Sequence, residues 1–162
     1  GHKLSPIRWD DQMFESEDYH KWVANGKAKT AKSLFAVELD QLGAADGVRV
    51  FAVHPGGIMT PLQRHLPREE MIQFGWIDEE GNVNEIFKSP EQGASTTIWA
   101  ATSPKLEGMG GVYCEDCDIA APTEVDSPTA RYQGINEHAN DRESAHRLCA
   151  MSESLTGVNQ FD

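Results

Sequence analysis

Apolar residues recur at three- and four-residue spacing over residues 22–42 and mark one face of a long helix. The positions are Ala24, Ala28, Ala31, Leu34, Phe35, Leu39 and Leu42. Residues 43–47 end this pattern, and a nearly continuous apolar run over residues 48–53 follows. Such a run is typical of a strand that is covered on both faces in a parallel sheet.

The predicted helix leads directly into this strand, and the strand ends at the sequence His54-Pro55-Gly56-Gly57. A helix followed by a buried strand is half of a βαβ unit, and loops at the carboxyl ends of such strands hold ligands. We therefore expect the functional residues near residues 55–60. The only other strong strand candidate is residues 111–114, so the pattern predicts a helix-rich α/β fold with two or three parallel strands.

The helix, strand and loop carry three sequence motifs, WVANGKAKTA, LFAVELD and HPGGIMTP. Together they resemble the short-chain dehydrogenases/reductases, and most of all their retinol-dehydrogenase-type branch. The resemblance covers essentially all 162 residues, but only the carboxyl-terminal half of the family's domain. It implies an incomplete Rossmann-like half-domain. We predict one domain over residues 1–162, with a helical tail over residues 126–162.

The resemblance also implies the site residues. In the family a Tyr stands four residues before a Lys on this helix, so that the ammonium group lowers the pKa of the phenol that exchanges a proton with the substrate. Lys29 matches that Lys, but Asn25 occupies the position of the Tyr. An amide has no titratable proton to give. The catalytic pair that the resemblance implies is therefore incomplete.

The same resemblance assigns a cofactor, NAD(P). Lys29 would bind its ribose, and a loop that includes Pro55, Gly56, Ile58 and Thr60 would bind its carboxamide. The family's catalytic Ser and glycine-rich phosphate loop precede the matched segment, and the 162 residues contain no G-x-G-x-x-G pattern. We therefore expect very weak cofactor binding and no hydride transfer by the chain alone, which leaves open whether the chain is an enzyme.

Composition narrows the range of partners. Only 39% of the residues are hydrophobic, the mean hydropathy is −0.51 and the formal net charge is −12. The negative charge opposes binding to nucleic acid and anionic membranes. No apolar run is long enough to span a membrane, and we expect no signal peptide. We therefore expect a cytoplasmic protein. Because two strands make a poor sheet, we also expect a homo-oligomer or a missing N-terminal half as partner.

Other chemistry stays open. Cys114 and Cys117 form a single C-x-x-C, which an extended strand would point to opposite faces, so we favour a structural role. His138, His146 and Cys149 could complete a metal site only through tertiary contacts.

Two further alternatives concern activity at other positions. The amine of Gly1 and the imidazole of His2 could bind copper. His54 is the best-placed base for an acquired hydrolase activity in a cleft at residues 55–63. The non-enzymatic alternative is an oligomerising scaffold.

Overall fold

A computed structural model describes residues 1–124 and 126–158 of the chain. Short 3-10 turns lie at His2–Leu4, Ala44–Asp46, Pro61–His65, Pro104–Leu106 and Glu137–Ala139. The helices and strands are, in chain order, α1 (Lys21–Gly43), β1 (Phe51–His54), α2 (Arg68–Gln73), α3 (Pro90–Thr102), β2 (Val112–Glu115), β3 (Asp118–Ile119) and α4 (Arg142–Thr156).

The three strands form one mixed sheet in the order β1-β2-β3. β1 and β2 are parallel, with Phe51 opposite Val112, whereas β2 and β3 are antiparallel. The α/β fold and the parallel pair confirm the prediction, but the third strand is not parallel. Its direction follows from Asp116 and Cys117, whose positive φ angles of 49° and 58° make the tight turn that a two-residue hairpin requires.

β1 begins three residues later than the apolar run predicts. Val48 is 49% exposed, and the backbone N–H of Val50 donates to the carboxylate of Asp40 over 2.9 Å. Arg49 donates to the same carboxylate from two nitrogens, at 3.0 and 2.7 Å. Residues 48–50 are therefore fixed by a carboxylate on α1 before the strand pairing begins.

The helix ends follow local chemistry. Ser89 and Gln92 form a capping box at the start of α3, and the helix ends at Thr102. The described part of the helical tail predicted over residues 126–162 contains the short turn at Glu137–Ala139 and α4. Asp141 divides them because its carboxylate accepts the Ser144 N–H at 2.7 Å and caps α4.

Two apolar clusters hold the elements together. One joins α1 to α4 through Leu34, Val37, Ala145 and Leu148. The other joins α3 to the sheet, and its buried members are Ala100, Leu106 and Cys114. No helix in residues 1–124 and 126–158 is long and apolar enough to cross a membrane.

Candidate functional site

Asn25 and Lys29 both lie on the exposed surface of α1, four residues and about one helical turn apart. The neighbouring Lys27 is different, because it is only 8% exposed. Its ammonium group donates to the carbonyl of Gln12 at 2.6 Å and lies 4.1 Å from the ring centre of Phe14. Lys27 therefore anchors the preceding loop, whereas Lys29 is available to a ligand.

The segment before α1 lies directly against Lys29. A Cβ atom on Gly1 would come within 2.5 Å of Lys29 Cγ, and one on Gly26 within 2.5 Å of the Ser5 nitrogen. Thr30, which is fully buried, donates to the carbonyl of Ser5 at 2.8 Å. Glycines at positions 1 and 26 thus permit close packing of residues 1–5 on the helix that carries Asn25 and Lys29.

The loop that follows β1 is held from the other side by residues before and within α3. Gly56 has a φ of +91°, and a Cβ atom there would lie 2.8 Å from Lys88 Cδ. The Lys88 backbone N–H donates to the carbonyl of Gly57 at 2.8 Å, while its ammonium group pairs with Asp116. Pro55, Gly56 and Ile58 are therefore placed at the carboxyl end of β1, where the sequence predicts a ligand loop.

Thr60 closes this loop on itself. Its hydroxyl accepts the Leu62 N–H at 3.3 Å, and its own N–H donates to the side chain of Gln63 at 2.9 Å. The amide nitrogen of Gln63 in turn donates to the carbonyl of Ile58 at 3.1 Å. A carboxamide that bound here would compete with these contacts for the Thr60 hydroxyl.

His2 is only 2% exposed. Its Nε2 accepts the backbone N–H of Asn136 at 3.2 Å, and its carbonyl accepts from His138 Nε2 at 3.0 Å. Burial lowers the pKa of His2 to about 3, so the imidazole is neutral at neutral pH. These contacts do not test copper binding at Gly1 and His2, which stays a prediction.

His54 ends β1 and lies beside β2. Its Nδ1 is 3.9 Å from a carboxylate oxygen of Glu115, but burial lowers the pKa of His54 to about 4. The pair is therefore a neutral imidazole beside a carboxylate at neutral pH and not an ion pair. A neutral His54 has the protonation state that a base needs.

The cysteines are spread over β2, the hairpin turn and α4, and His146 shares α4 with Cys149. Cys114 is fully buried, and burial raises the pKa of its thiol to about 11. Cys117 lies in the hairpin turn next to Thr96, so the extended geometry we assumed for the C-x-x-C is wrong. His146 contacts Glu38 at 3.0 Å, and Cys149 contacts Glu153. Within the described ranges 1–124 and 126–158, no three His, Cys, Asp or Glu side chains are grouped to hold a metal ion.

Comparison with known proteins gives clear relatives. The chain is 42% identical over 149 residues to a "probable oxidoreductase" of Streptomyces antibioticus, covering 91% of this chain and 49% of that protein. It is 36% identical over 160 residues to the short-chain dehydrogenase/reductase prx1 of Penicillium rubens, covering 99% of this chain and 45% of that protein. It is 32% identical over 134 residues to human retinol dehydrogenase 14, and the match covers 80% of this chain and 38% of that protein.

The chain is homologous to the short-chain dehydrogenases/reductases. It spans about half the length of the curated relatives that it matches, and it corresponds to their carboxyl-terminal half. An uncharacterised protein from Mycobacterium paratuberculosis has the same fold, with a TM-score of 0.60 and 24% identity over 99% of this chain and 48% of that one. No protein-family model matches the chain.

The sequence did not single out Tyr113 or Lys88, which the fold places beside residues that it did single out. Tyr113 lies between His2 and His54, with ring centres 5.1 and 6.4 Å away, respectively. Lys88 covers Gly56, and Gly1 lies against Lys29. The glycines were the available signal, because a glycine beside a functional residue often marks a close approach of two chain segments.

Proposed function

We propose that these residues form the substrate-side half of a dinucleotide-dependent oxidoreductase and do not transfer hydride by themselves. The observation that carries the proposal is the pair of positions 25 and 29 on α1. Lys29 offers an exposed ammonium group for a cofactor ribose, but Asn25 offers no proton at the position of the acid. In NAD(P)-dependent chemistry the cofactor supplies the hydride, and a neighbouring acid must supply the proton.

The affinity for NAD(P) follows from the groups that are present. Lys29 and the loop of Pro55, Gly56, Ile58 and Thr60 offer two or three hydrogen bonds, each worth about 1 kcal/mol net. Association costs at least about 4 kcal/mol. Most of the affinity in such folds is expected from a glycine-rich loop at a helix N-terminus, which these 162 residues do not contain. We therefore expect millimolar or weaker binding.

An apolar alcohol or aldehyde is the substrate class that we infer for the complete fold. One relative is named a retinol dehydrogenase. On this chain, Trp22 lies three residues before Asn25 and packs against Phe74 and Trp76, with ring centres 5.3 and 6.2 Å away. Phe87 extends this group of aromatic side chains, because its ring centre lies 5.9 Å from that of Trp76. These aromatic rings would provide an apolar wall beside position 25.

As partner we propose a second copy of the chain or a polypeptide that supplies the amino-terminal half of the family's fold. Among the described strands, β1 pairs only with β2 and leaves one edge open. Phe35 on α1 is 53% exposed and Leu42 is 38% exposed. Open strand edges and exposed apolar side chains favour association with another chain.

Titration with NADH, followed by its fluorescence, tests the proposal on the 162-residue chain. We expect no saturable change at sub-millimolar concentration, and no carbonyl reduction by the Asn25→Tyr variant. Lys29→Met is the matched control, because it removes the charge from the same helical face. Micromolar binding that Lys29→Met abolishes, or turnover by Asn25→Tyr alone, would show that these residues already form a complete site.

A further inference from the structure

Residues 61–87 are folded on themselves and lie outside the two apolar clusters; we call this segment the flap. None of its residues is buried. Its backbone is held by internal hydrogen bonds, because the Trp76 N–H donates to the Met71 carbonyl and the Asn84 N–H donates to the Trp76 carbonyl, both at 2.9 Å. A segment with few buried contacts opens at a lower free energy than the whole fold.

The two ends of the flap are fixed to the loop after β1. Thr60 caps the turn with which the flap begins. At the other end, the Lys88 N–H donates to the Gly57 carbonyl at 2.8 Å. A movement about these two ends would leave the internal hydrogen bonds of the flap intact.

Glu70 connects the middle of the flap to the start of α1. One of its carboxylate oxygens accepts the indole N–H of Trp22 at 2.8 Å, and the other accepts from the ammonium group of Lys21. Within residues 1–124 and 126–158, the hydrogen bonds between the flap and α1 are the ones that Glu70 makes. They hold the pKa of Glu70 below its ordinary value of 4.5, so the carboxylate is charged at neutral pH.

Trp22 also supplies the apolar part of this contact. Its ring meets that of Phe74 edge to face, at an interplanar angle of 81°, and it packs in the same way against Trp76. All three rings are half-buried. The same movement of the flap would therefore separate Trp22 from both of its aromatic neighbours and expose their apolar surface together.

We propose that Glu70 is the latch of the flap: when its hydrogen bonds to Lys21 and Trp22 break, the flap opens and uncovers the aromatic rings to an apolar ligand. Glu70 is a positioning residue, because it acts through the indole of Trp22. Charge-assisted hydrogen bonds make the closed state strong. The inference that the ligand is an alcohol or aldehyde rests on the proposed function, whereas the latch needs no cofactor and its test uses none.

Hydrogen exchange on the ¹⁵N-labelled 162-residue chain tests the latch without any substitution. The indole N–H of Trp22 is compared, at low urea concentrations, with the backbone N–H of Leu34 in the buried α1–α4 cluster. We expect the opening that releases Trp22 to be at least about 100-fold more populated than the opening that releases Leu34. It should also be independent of urea, because a local opening exposes little surface. Equal populations with the same urea dependence would overturn the proposal, since only global unfolding would then release Trp22.

Three variants assign the contact to Glu70. Glu70→Ala should accelerate exchange of the Trp22 indole N–H at least about tenfold, because both charge-assisted hydrogen bonds are lost. Glu70→Gln keeps one acceptor oxygen and should give an intermediate rate. Glu69→Ala removes the neighbouring exposed carboxylate from the same turn of α2 and should leave the rate unchanged. Equal acceleration by Glu69→Ala and Glu70→Ala would refute the role of Glu70.

Nile red, a neutral apolar dye, tests whether the open flap uncovers a binding surface. Glu70→Ala should bind the dye several-fold more tightly than wild type, because less of the binding free energy goes into opening the flap. Glu69→Ala should match wild type. Equal affinity of all three chains would overturn the proposal that the latch controls access. Micromolar NADH binding would refute the proposed function and leave these results unchanged, so the two proposals fail separately.

Discussion

Asp40 offers the sharpest test of how α1 positions the sheet. The residue is 5% exposed, and its carboxylate accepts three hydrogen bonds, two from Arg49 and one from Val50. Arg49 also donates to the carbonyl of Gly108 at 3.0 Å. One carboxylate thus connects α1, the residues before β1 and the loop before β2.

The cost of removing this carboxylate follows from those contacts. Hydrogen bonds to charged groups contribute about 1.5–3 kcal/mol each, but the two from Arg49 share one guanidinium group and are not additive. Arg49 is about a third exposed, so water solvates it when its partner is lost. We therefore expect Asp40→Ala to lower the free energy of unfolding by about 2–3 kcal/mol. Asp40→Asn keeps one acceptor oxygen and should cost about half as much.

The pH dependence has a defined sign. Burial by itself raises the pKa of Asp40, but the hydrogen bonds from Arg49 and Val50 outweigh burial and hold the pKa below its ordinary value of 3.8. A carboxylate with a lowered folded-state pKa stabilises the fold above its unfolded-state pKa. This stabilisation is lost as the pH falls through the folded-state value. The difference between wild type and Asp40→Asn should therefore be constant near neutral pH and shrink below about pH 4.

Urea denaturation followed by circular dichroism measures these differences. Asp46→Ala is the control, because Asp46 is an exposed carboxylate in the short turn that follows α1, and it should change the free energy of unfolding by less than about 0.5 kcal/mol. The reasoning is refuted if Asp40→Ala costs no more than Asp46→Ala. A cost that grows as the pH falls below about 4 would also refute it.

Three further outcomes follow from single contacts. Gly26→Ala should cost about 1–3 kcal/mol in urea denaturation, because its Cβ would lie 2.5 Å from the backbone nitrogen of Ser5; an unchanged midpoint would contradict this packing. Thr30→Val should cost about 1–2 kcal/mol by leaving a buried carbonyl unpaired, and a neutral effect would show that the hydroxyl contributes little. Phe35→Glu should lower the molar mass that light scattering gives over a dilution series, whereas Leu62→Glu should leave that mass unchanged. A wild-type chain that is monomeric at all concentrations would exclude self-association.

Local sequence was enough to predict some elements. The start of α3 depends on Ser89 and Gln92, which stand three residues apart and cap the helix by themselves. The apolar spacing predicts the extent of α1 but not its buried face, because Phe35 is 53% exposed whereas the polar residues Thr30 and Asp40 are buried. The resemblance to a known family adds the prediction that Asn25 and Lys29 matter, because these residues keep the family's spacing of four residues on one helix.

Other features depend on contacts between distant segments. His2 and Asn136 are 134 residues apart in the chain, and no local pattern brings them together. The direction of β3 depended on positive φ angles at Asp116 and Cys117, which are not glycines and give a weak turn signal. The late start of β1 depended on a side chain of α1, since the apolar pattern of residues 48–50 alone indicates a strand.

The alternation along β1 and β2 restricts where chemistry can occur on this half fold. The apolar cluster under α3 covers one face of the sheet. The opposite face carries His54, Tyr113 and Glu115, and the segment beginning with Gly1 and His2 joins that face to Lys29 on α1. Polar ligands can therefore approach the described residues of the sheet from the side of α1 and from the carboxyl end of β1, but not through the face under α3. Lys29 and the loop of Pro55, Gly56, Ile58 and Thr60 border this approach, so residues that complete the cofactor site proposed above would have to reach the same side of the sheet.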